Sequence, residues 1–179
     1  MNSFPPGYEP QKDSIEVVPS DLAWPSLFLK EKETLEKALL GLPVLAIEHF
    51  GSTSVSGLAA KPILYIMVGL ESKEFWFLAQ KRLEPLGYHC WSVSDEDMLL
   101  IKGLPPWGQK RTHHTHFYDF QGPRWKKELA FRDHLRAHPV EAARYEALKK
   151  ELALKFATNR EAYTEGKINY IQEVLKKIG

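Results

Sequence analysis

The residue types best suited to chemistry occur first in a short turn between two apolar stretches. The turn contains Gly51, Ser52, Thr53 and Ser54, and Lys61 precedes the second apolar stretch. Glycine permits positive φ angles and close backbone approach, while hydroxyl groups and exposed amides bind phosphate oxygens. Neither the Walker pattern nor the glycine spacing of a dinucleotide fingerprint is present. The composition favours either a phosphate-binding turn or an ordinary connection between strands.

A second group of chemically capable residues lies in the segment RTHHTHFYDF, residues 111–120. In a strand, His114 and His116 share one face because side chains alternate. Two such imidazoles suit zinc or another transition metal, and His49, just before the turn, is the obvious third ligand if the strands are close. The alternatives are phosphate binding or acid–base catalysis by imidazole, and histidines that are simply hydrogen-bonded on a half-buried strand.

The strands that would position these residues can be predicted from apolar patterning. Every side chain in residues 63–68 is apolar or aromatic, which is typical of a central strand buried on both faces. Two further strands are predicted at about residues 88–93 and 98–102. The acidic segment 94–97 between them is interpreted as a solvated hairpin turn rather than a metal site, because its carboxylates are adjacent in sequence.

Helices are predicted on both sides of this sheet. One helix should run from Trp24 to near residue 41, and another from Ser72, as the capping residue, to about residue 84. From residue 124 onward, apolar spacings of three and four predict three helices, with breaks near Pro139 and Asn159. The predicted fold is therefore α/β, or α+β: a mixed sheet of about five strands with a C-terminal helical group.

Bulk composition is that of one globular domain, predicted at residues 15–179 behind a polar, proline-rich tail at residues 1–14. Residues 1–109 contain 9 basic and 14 acidic side chains, whereas residues 110–179 contain 15 and 9, so the C-terminal part is the better candidate for an anionic partner. The net charge of the whole chain is close to zero, which makes no strong case for a nucleic-acid partner.

We expect a cytoplasmic protein with no membrane partner. The sequence contains one cysteine, no signal peptide and no apolar run long enough to span a bilayer.

The run HFGSTSVSGLAAKPILYI, residues 49–66, resembles the signature of the GrpB family. The segment EVVPSDLAWPSLF near the start is similar to the family's entry segment. Later blocks of the family are resembled, in the same order, by HHTHFYDF, LAFRDHLRAHP, ARYEALKKELA and YTEGKINYI, so the resemblance covers roughly residues 15–178. The family is placed in the nucleotidyltransferase-like fold. There, a Gly-Ser turn holds the triphosphate and acidic side chains on the next strand hold divalent metal.

The chain departs from this pattern on the strand after the turn. Tyr65 stands at the family's aspartate, and Met67 lies two residues further, where many nucleotidyltransferases have a second acid. A phenol is a poor ligand for magnesium, which prefers carboxylate and phosphate oxygens. The usual arrangement for metal-assisted nucleotidyl transfer is therefore not expected on this strand.

The resemblance also draws attention to three basic residues in the C-terminal blocks: Arg132, Lys149 and Lys167. They could project toward the Gly-Ser turn and contact a phosphate or reacting group. Arg132 could instead form a local ion pair with Asp133. For Lys149 and Lys167, a solvated helix face is the simpler interpretation.

These observations lead to two functional hypotheses. In the first, a nucleotidyltransferase-like protein binds a nucleotide or another phosphorylated small molecule at residues 51–54 and at Lys61. Catalysis would use His114, His116 and Arg132, with magnesium, manganese or zinc held by His49, His114 and His116. In the second, the fold is a noncatalytic nucleotide-sensing or protein-interaction module, in which the tyrosine at the aspartate position stacks on a base or fills the metal position.

Overall fold

One mixed sheet of five strands is formed by the residues that the computed structural model describes, which are 8–9, 14–104 and 111–178. Most of the predicted tail and of the loop at residues 103–110 lies outside them. The strands are β1 (Val44–Phe50), β2 (Leu64–Leu70), β3 (Tyr88–Val93), β4 (Met98–Gly103) and β5 (Arg111–Asp119). Their order is β1-β2-β5-β4-β3. Only the β2–β5 pair is parallel among these neighbours. The predicted α/β fold with a mixed sheet is confirmed.

Strand β2 lies inside the sheet, because it pairs with β1 on one side and with β5 on the other. Six of its seven residues are buried. This is the reason that its sequence is apolar almost without interruption, since a strand covered on both faces has no solvent side on which to place polar residues.

Six α-helices accompany the sheet in the described part of the chain. They are α1 (Trp24–Ala38), α2 (Trp76–Leu83), α3 (Pro123–Ala137), α4 (Pro139–Lys155), α5 (Arg160–Glu165) and α6 (Ile168–Ile178). None of the helices in the described ranges is long and apolar enough to cross a membrane. Ser72 caps the segment leading into α2, as predicted, by accepting a hydrogen bond from the Glu74 amide at 3.3 Å.

The predicted third C-terminal helix was wrong in one respect, because it is two helices separated at Gly166. A Cβ atom at this position would lie 2.6 Å from Cδ2 of Leu152. The break between the two helices therefore lies where Leu152 of α4 packs closely against the backbone. Periodicity in the sequence does not reveal such a tertiary contact.

The two faces of the sheet are covered by different parts of the chain. Helices α1 and α2 pack on one face, which contributes apolar residues such as Ile66 and Phe117 to the largest core cluster. The opposite face contributes Met67 and Tyr118 to a smaller cluster with Trp125 of α3. A third cluster joins the segment after the turn to α3, α4 and α6. The C-terminal helices thus enclose the face that carries Tyr65 and His116.

Candidate functional site

The Gly-Ser turn (residues 51–54) has a backbone conformation that requires glycine at its first position. Gly51 has a φ of +67°, and a Cβ atom there would lie 3.1 Å from Cβ of Tyr65. A short 3-10 turn over Ser52–Ser54 follows directly. The turn is therefore pressed against strand β2 at Tyr65, where a side chain on the first residue would be excluded both by φ and by contact.

The three hydroxyl side chains of the turn have different partners. Thr53 Oγ1 lies 3.0 Å from Nε2 of His49 and donates to the Ile63 carbonyl at 3.4 Å, and Ser54 Oγ donates to the Gly51 carbonyl at 2.6 Å. Ser52 Oγ instead accepts a hydrogen bond from outside the turn. The predicted phosphate-binding role is thus not supported for the hydroxyls of Thr53 and Ser54, which are engaged in holding the turn.

Lys149 reaches the turn from helix α4. Its Nζ donates to Ser52 Oγ at 2.9 Å and to the carbonyl oxygen of Ala59, and the residue is only 3% exposed. Burial, together with the positive charge of Lys167, lowers the pKa of Lys149 to about 7. The solvated helix face that seemed the simpler interpretation was wrong for this lysine.

Lys61 and Lys167 both lie close to the Tyr163 ring. Their Nζ atoms are 5.3 and 4.4 Å from its centroid, respectively. Burial and the charge of Lys61 lower the pKa of Lys167 to about 8. The structure therefore brings together Lys61, Lys149 and Lys167, three residues that are widely separated in sequence and were each a candidate for phosphate binding.

Two residues that sequence reasoning missed attach the segment around the turn to the helices. Arg136 of α3 donates from Nε and Nη2 to the Ser54 carbonyl at 3.1 and 2.9 Å. Glu146 of α4 accepts a hydrogen bond from the Ala59 amide at 2.7 Å. Both residues look like ordinary charged positions on helices, and no local signal distinguishes them.

Arg132, a candidate catalytic residue, is held by carboxylates. Its Nη1 donates to Glu48 at 2.8 Å and to the His49 carbonyl at 3.0 Å, while its Nε donates to Asp133 at 2.7 Å. The local pair with Asp133 is therefore present. The guanidinium also lies at the cavity described below, but these contacts chiefly connect α3 to β1.

The three histidines proposed as metal ligands do not come together. His114 and His116 are opposite Tyr65 and Met67 on one face of the sheet. His49 lies on the other face, stacked on Phe28 of α1 with ring centroids 4.7 Å apart. Burial and two nearby arginines lower its pKa to about 4. No group of three or more His, Cys, Asp or Glu residues within the described ranges could hold a metal ion, so the predicted metal set was wrong.

The strand positions at which the resemblance implies acids do not fit a hard divalent cation either. The Tyr65 ring contacts those of Phe50, His114 and His116, with centroid distances of 5.8, 4.9 and 6.3 Å. A phenol and the thioether of Met67 are poor ligands for magnesium or manganese. His114 is 5% exposed, and burial and the charge of Arg111 hold its pKa well below the usual range, so this candidate catalytic residue is neutral.

His116, by contrast, has a carboxylate partner. Its Nδ1 lies 2.9 and 3.1 Å from the two carboxylate oxygens of Asp97. The prediction that residues 94–97 form a merely solvated turn was wrong for Asp97, although Asp95 is 99% exposed as expected. Leu99 pairs with His116 across β4 and β5, and Asp97 is two residues earlier on the same face. This register brings the carboxylate to the imidazole.

One cavity of about 410 Å³ lies between the sheet and the C-terminal helices. Lys61, Lys149 and Lys167 lie beside Ser52 in its lining, which also contains the charged residues Arg124, Lys127, Glu128 and Arg132. Tyr65, His116 and Tyr118 form a wall on the sheet, and helices α3 to α6 complete the lining with apolar residues including Phe131, Tyr145 and Ile171. Its size and mixed lining are typical of a site for a small molecule.

The fold of this chain is nucleotidyltransferase-like. Crystal structures of the Cid1 poly(U) polymerase share the fold. One of them, an H336N mutant bound to MgATP, has a TM-score of 0.56 at 13% identity over 84% of this chain and 50% of that chain. The family model described as "GrpB protein" matches residues 14–177, and the chain belongs to the GrpB family.

Individual relatives agree with this membership. A UPF0157 protein of Pseudomonas aeruginosa is 42% identical over 180 residues, covering 96% of this chain and 73% of the relative. The glutamate-rich protein GrpB of Alkalihalophilus pseudofirmus is 37% identical over 158 residues, covering 87% of this chain and 90% of the relative. The crystal structure of conserved protein GrpB from Enterococcus faecalis has a TM-score of 0.81 at 36% identity, covering 91% of this chain and 96% of that one.

Proposed function

We propose that the protein binds a nucleotide, or another small molecule with a chain of phosphates, in the cavity beside the Gly-Ser turn. The observation that carries this proposal is the convergence of Lys61, Lys149 and Lys167 on one cavity, with Lys149 buried against the turn. The phosphates would lie between Ser52 and the lysines.

The electrostatics of the cavity favour an anion. The hydrogen-bond acceptors of Lys149 are neutral oxygens of Ser52 and Ala59. In the described part of the chain, no carboxylate lies within ion-pair distance of the ammonium group of Lys149 or Lys167. Glu146 and Glu128 act on these lysines only from a greater distance, and burial outweighs them, so the pKa values of both lysines are lowered. A bound phosphate chain would supply the missing negative charge.

The remainder of the cavity suits the rest of a nucleotide. Phe131, Tyr145 and Ile171 provide an apolar region of the lining, where a flat base could be removed from water. Cid1, which shares the fold, has been crystallised with the UTP analogue UMPNPP. At 14% identity this likeness supports the choice of ligand class and does not identify the base.

Tyr65 favours a second candidate, in which binding serves nucleotide sensing or recruitment of another protein without any reaction. Its ring occupies the strand position of the implied aspartate and packs on Phe50 and His114. The two candidates share the binding site and differ in whether the bound phosphates react.

The binding proposal can be tested by thermal unfolding. The purified protein would be heated with each of the four ribonucleoside triphosphates and with inorganic tripolyphosphate, in EDTA and with magnesium. A ligand at about 100 times its dissociation constant should stabilise the protein by about 2.7 kcal/mol. Lys149→Met should remove most of this shift.

Lys150→Met is the matched control, because Lys150 is exposed on the same helix and pairs with Glu146. It should retain the ligand-induced shift. The proposal would be refuted if none of the phosphate compounds changed the midpoint, or if Lys149→Met and Lys150→Met responded to them equally.

A further inference from the structure

We propose that His116 and Asp97 form an acid–base pair that activates water for hydrolysis of the bound phosphate chain without a divalent metal. This inference rests on the proposed function, since it requires phosphates in the cavity. His116 would be the catalytic base, and Asp97 a positioning residue that acts through it.

The geometry of the pair determines which imidazole nitrogen can react. Both carboxylate oxygens of Asp97 lie within 3.1 Å of Nδ1 of His116, and the two side chains are 13% and 19% exposed. A proton on Nδ1 is therefore donated to the carboxylate, which leaves the lone pair on Nε2. Nε2 of His116 makes no hydrogen bond to a described residue. This nitrogen is also not fully buried, because it is absent from the set of fully buried, unpaired side-chain atoms in the described ranges. Since His116 lines the cavity, Nε2 is accessible to a water molecule there.

Aromatic rings restrict the imidazole further. Phe50, Tyr65 and Tyr118 surround it with centroid distances of 5.5, 6.3 and 5.6 Å. Tyr65 lies next to Gly51, where a Cβ atom would be 3.1 Å from that of Tyr65, so this ring stands between the turn and the base. A fixed base in a partly dry site needs little reorganisation as charge develops.

The reaction balances without any redox partner. A water molecule transfers a proton to Nε2 of His116 as its oxygen forms a bond to phosphorus. The bond between that phosphorus and the bridging oxygen breaks, and the electron pair stays on the leaving group. This is the nucleoside diphosphate for attack at the terminal phosphorus and pyrophosphate for attack at the phosphorus next to the ribose. The Asp97 carboxylate stabilises the imidazolium, which then returns its proton to the leaving group. Lys149 and Lys167 would neutralise the negative charge that accumulates.

Other acid–base groups in or near this cavity are less suited, including Glu128, which pairs with Arg124 at 3.6 Å. His114 is buried with its Nε2 unpaired among the described residues, and Arg132 is engaged by Glu48 and Asp133. The donors at positions 65 and 67 do not fit the metal that fold relatives would place there. The Asp97–His116 pair is the arrangement at the cavity that supplies a base and an orienting carboxylate together.

The test is hydrolysis of the four ribonucleoside triphosphates in EDTA, followed by anion-exchange chromatography of the nucleotides. The wild-type protein should convert a triphosphate to its di- or monophosphate. Asp97→Asn should lower kcat by about 100-fold with little change in KM, because general acid–base catalysis contributes factors of about 100 to 10,000. Asp97→Glu should restore part of the rate. Asp95→Asn, a change in the exposed part of the same turn, should have no effect.

Chemical rescue separates a catalytic from a structural role for His116. His116→Ala should be inactive, and added imidazole should restore measurable hydrolysis by entering the space of the missing side chain. His116→Gln, which keeps a polar side chain of similar size, should remain inactive while still binding triphosphate. If His116→Ala does not fold, His116→Gln and Asp97→Asn decide the question.

Binding is measured in the same EDTA buffer by the shift of the thermal midpoint. Binding without metal-free hydrolysis would overturn the acid–base pair and leave the proposed function standing. Hydrolysis that survives in Asp97→Asn and His116→Gln would also overturn it. Absence of any triphosphate binding would overturn both proposals.

Discussion

Raising the pH from 7 to 9 should stabilise the ligand-free protein, because one buried lysine loses its charge. Burial and the charge of Lys167 lower the pKa of Lys149 from 10.5 to about 7 in the folded chain. The unfolded chain keeps this proton up to about pH 10.4. Between these values the unfolded state binds more protons, so the free energy of unfolding rises with pH. The stabilisation is complete at pH values above the pKa of this lysine in the unfolded chain. It is fully lost once the pH has fallen below the pKa of this lysine in the folded chain.

The size of the effect follows from the proton difference. One proton corresponds to about 1.4 kcal/mol per pH unit well inside the window. Because the folded lysine is half ionised near pH 7, the gain between pH 7 and pH 9 is about 2 kcal/mol. For a chain of 179 residues this corresponds to a rise of about 4–8 °C in the thermal midpoint. Lys167, with its pKa lowered to about 8, acts in the same direction.

Urea unfolding of the wild-type protein and of Lys149→Met at pH 7 and pH 9 measures this contribution. Methionine fills a similar volume and has no charge to lose. The stability of the wild type relative to the variant should therefore increase by about 2 kcal/mol between the two pH values. Lys150→Met should show the same pH response as the wild type. Parallel pH responses of the wild type and Lys149→Met would refute the reasoning.

Three further predictions concern the turn and the cavity. Tripolyphosphate should bind several-fold more weakly at pH 9 than at pH 7, because Lys149 and Lys167 must be protonated to hold it. Calorimetry at pH 8 in buffers of different ionisation enthalpy should show that the protein takes up protons on binding. Binding without proton uptake would contradict this prediction. In urea unfolding, Gly51→Ala should lower the free energy of unfolding by about 2 kcal/mol or more, and Gly57→Ala by about 1 kcal/mol. Both glycines have positive φ, but a Cβ atom would approach another side chain only at Gly51. Equal losses of stability would count against a role for this close approach. Manganese should raise the thermal midpoint of Tyr65→Asp, since a carboxylate replaces the phenol. It should not change the midpoint of the wild type or of Tyr65→Asn. If manganese leaves the midpoint of Tyr65→Asp unchanged, this strand position does not support a metal.

Several structural elements were predictable because their signals are local. The apolar run at residues 63–68 predicted the strand that is covered on both faces. The strand predicted at about residues 88–93 agrees with the bounds of β3. The capping role of Ser72 was also predicted, since it depends on residues two positions apart.

The failures concern contacts between distant segments. Alternation along a strand shows that two residues share a face, but it does not show which face of the neighbouring strand lies beside them. His49 and Phe50 are adjacent in sequence, and only the pairing of Phe50 with Tyr65 shows that His49 points away from His116. In the same way, Asp97 is recognisable as a partner of His116 only once β4 and β5 are in register.

The sequence by itself determined the family and the α/β fold, because periodicity and a long contiguous motif depend on neighbouring residues. The tertiary structure decided which side chains reach the Gly-Ser turn. Lys149 and Ser52 are 97 residues apart and meet only because α4 docks over the turn. Burial by that docking also lowers the pKa of the lysine to about 7, which the pattern of a charged helix position does not reveal.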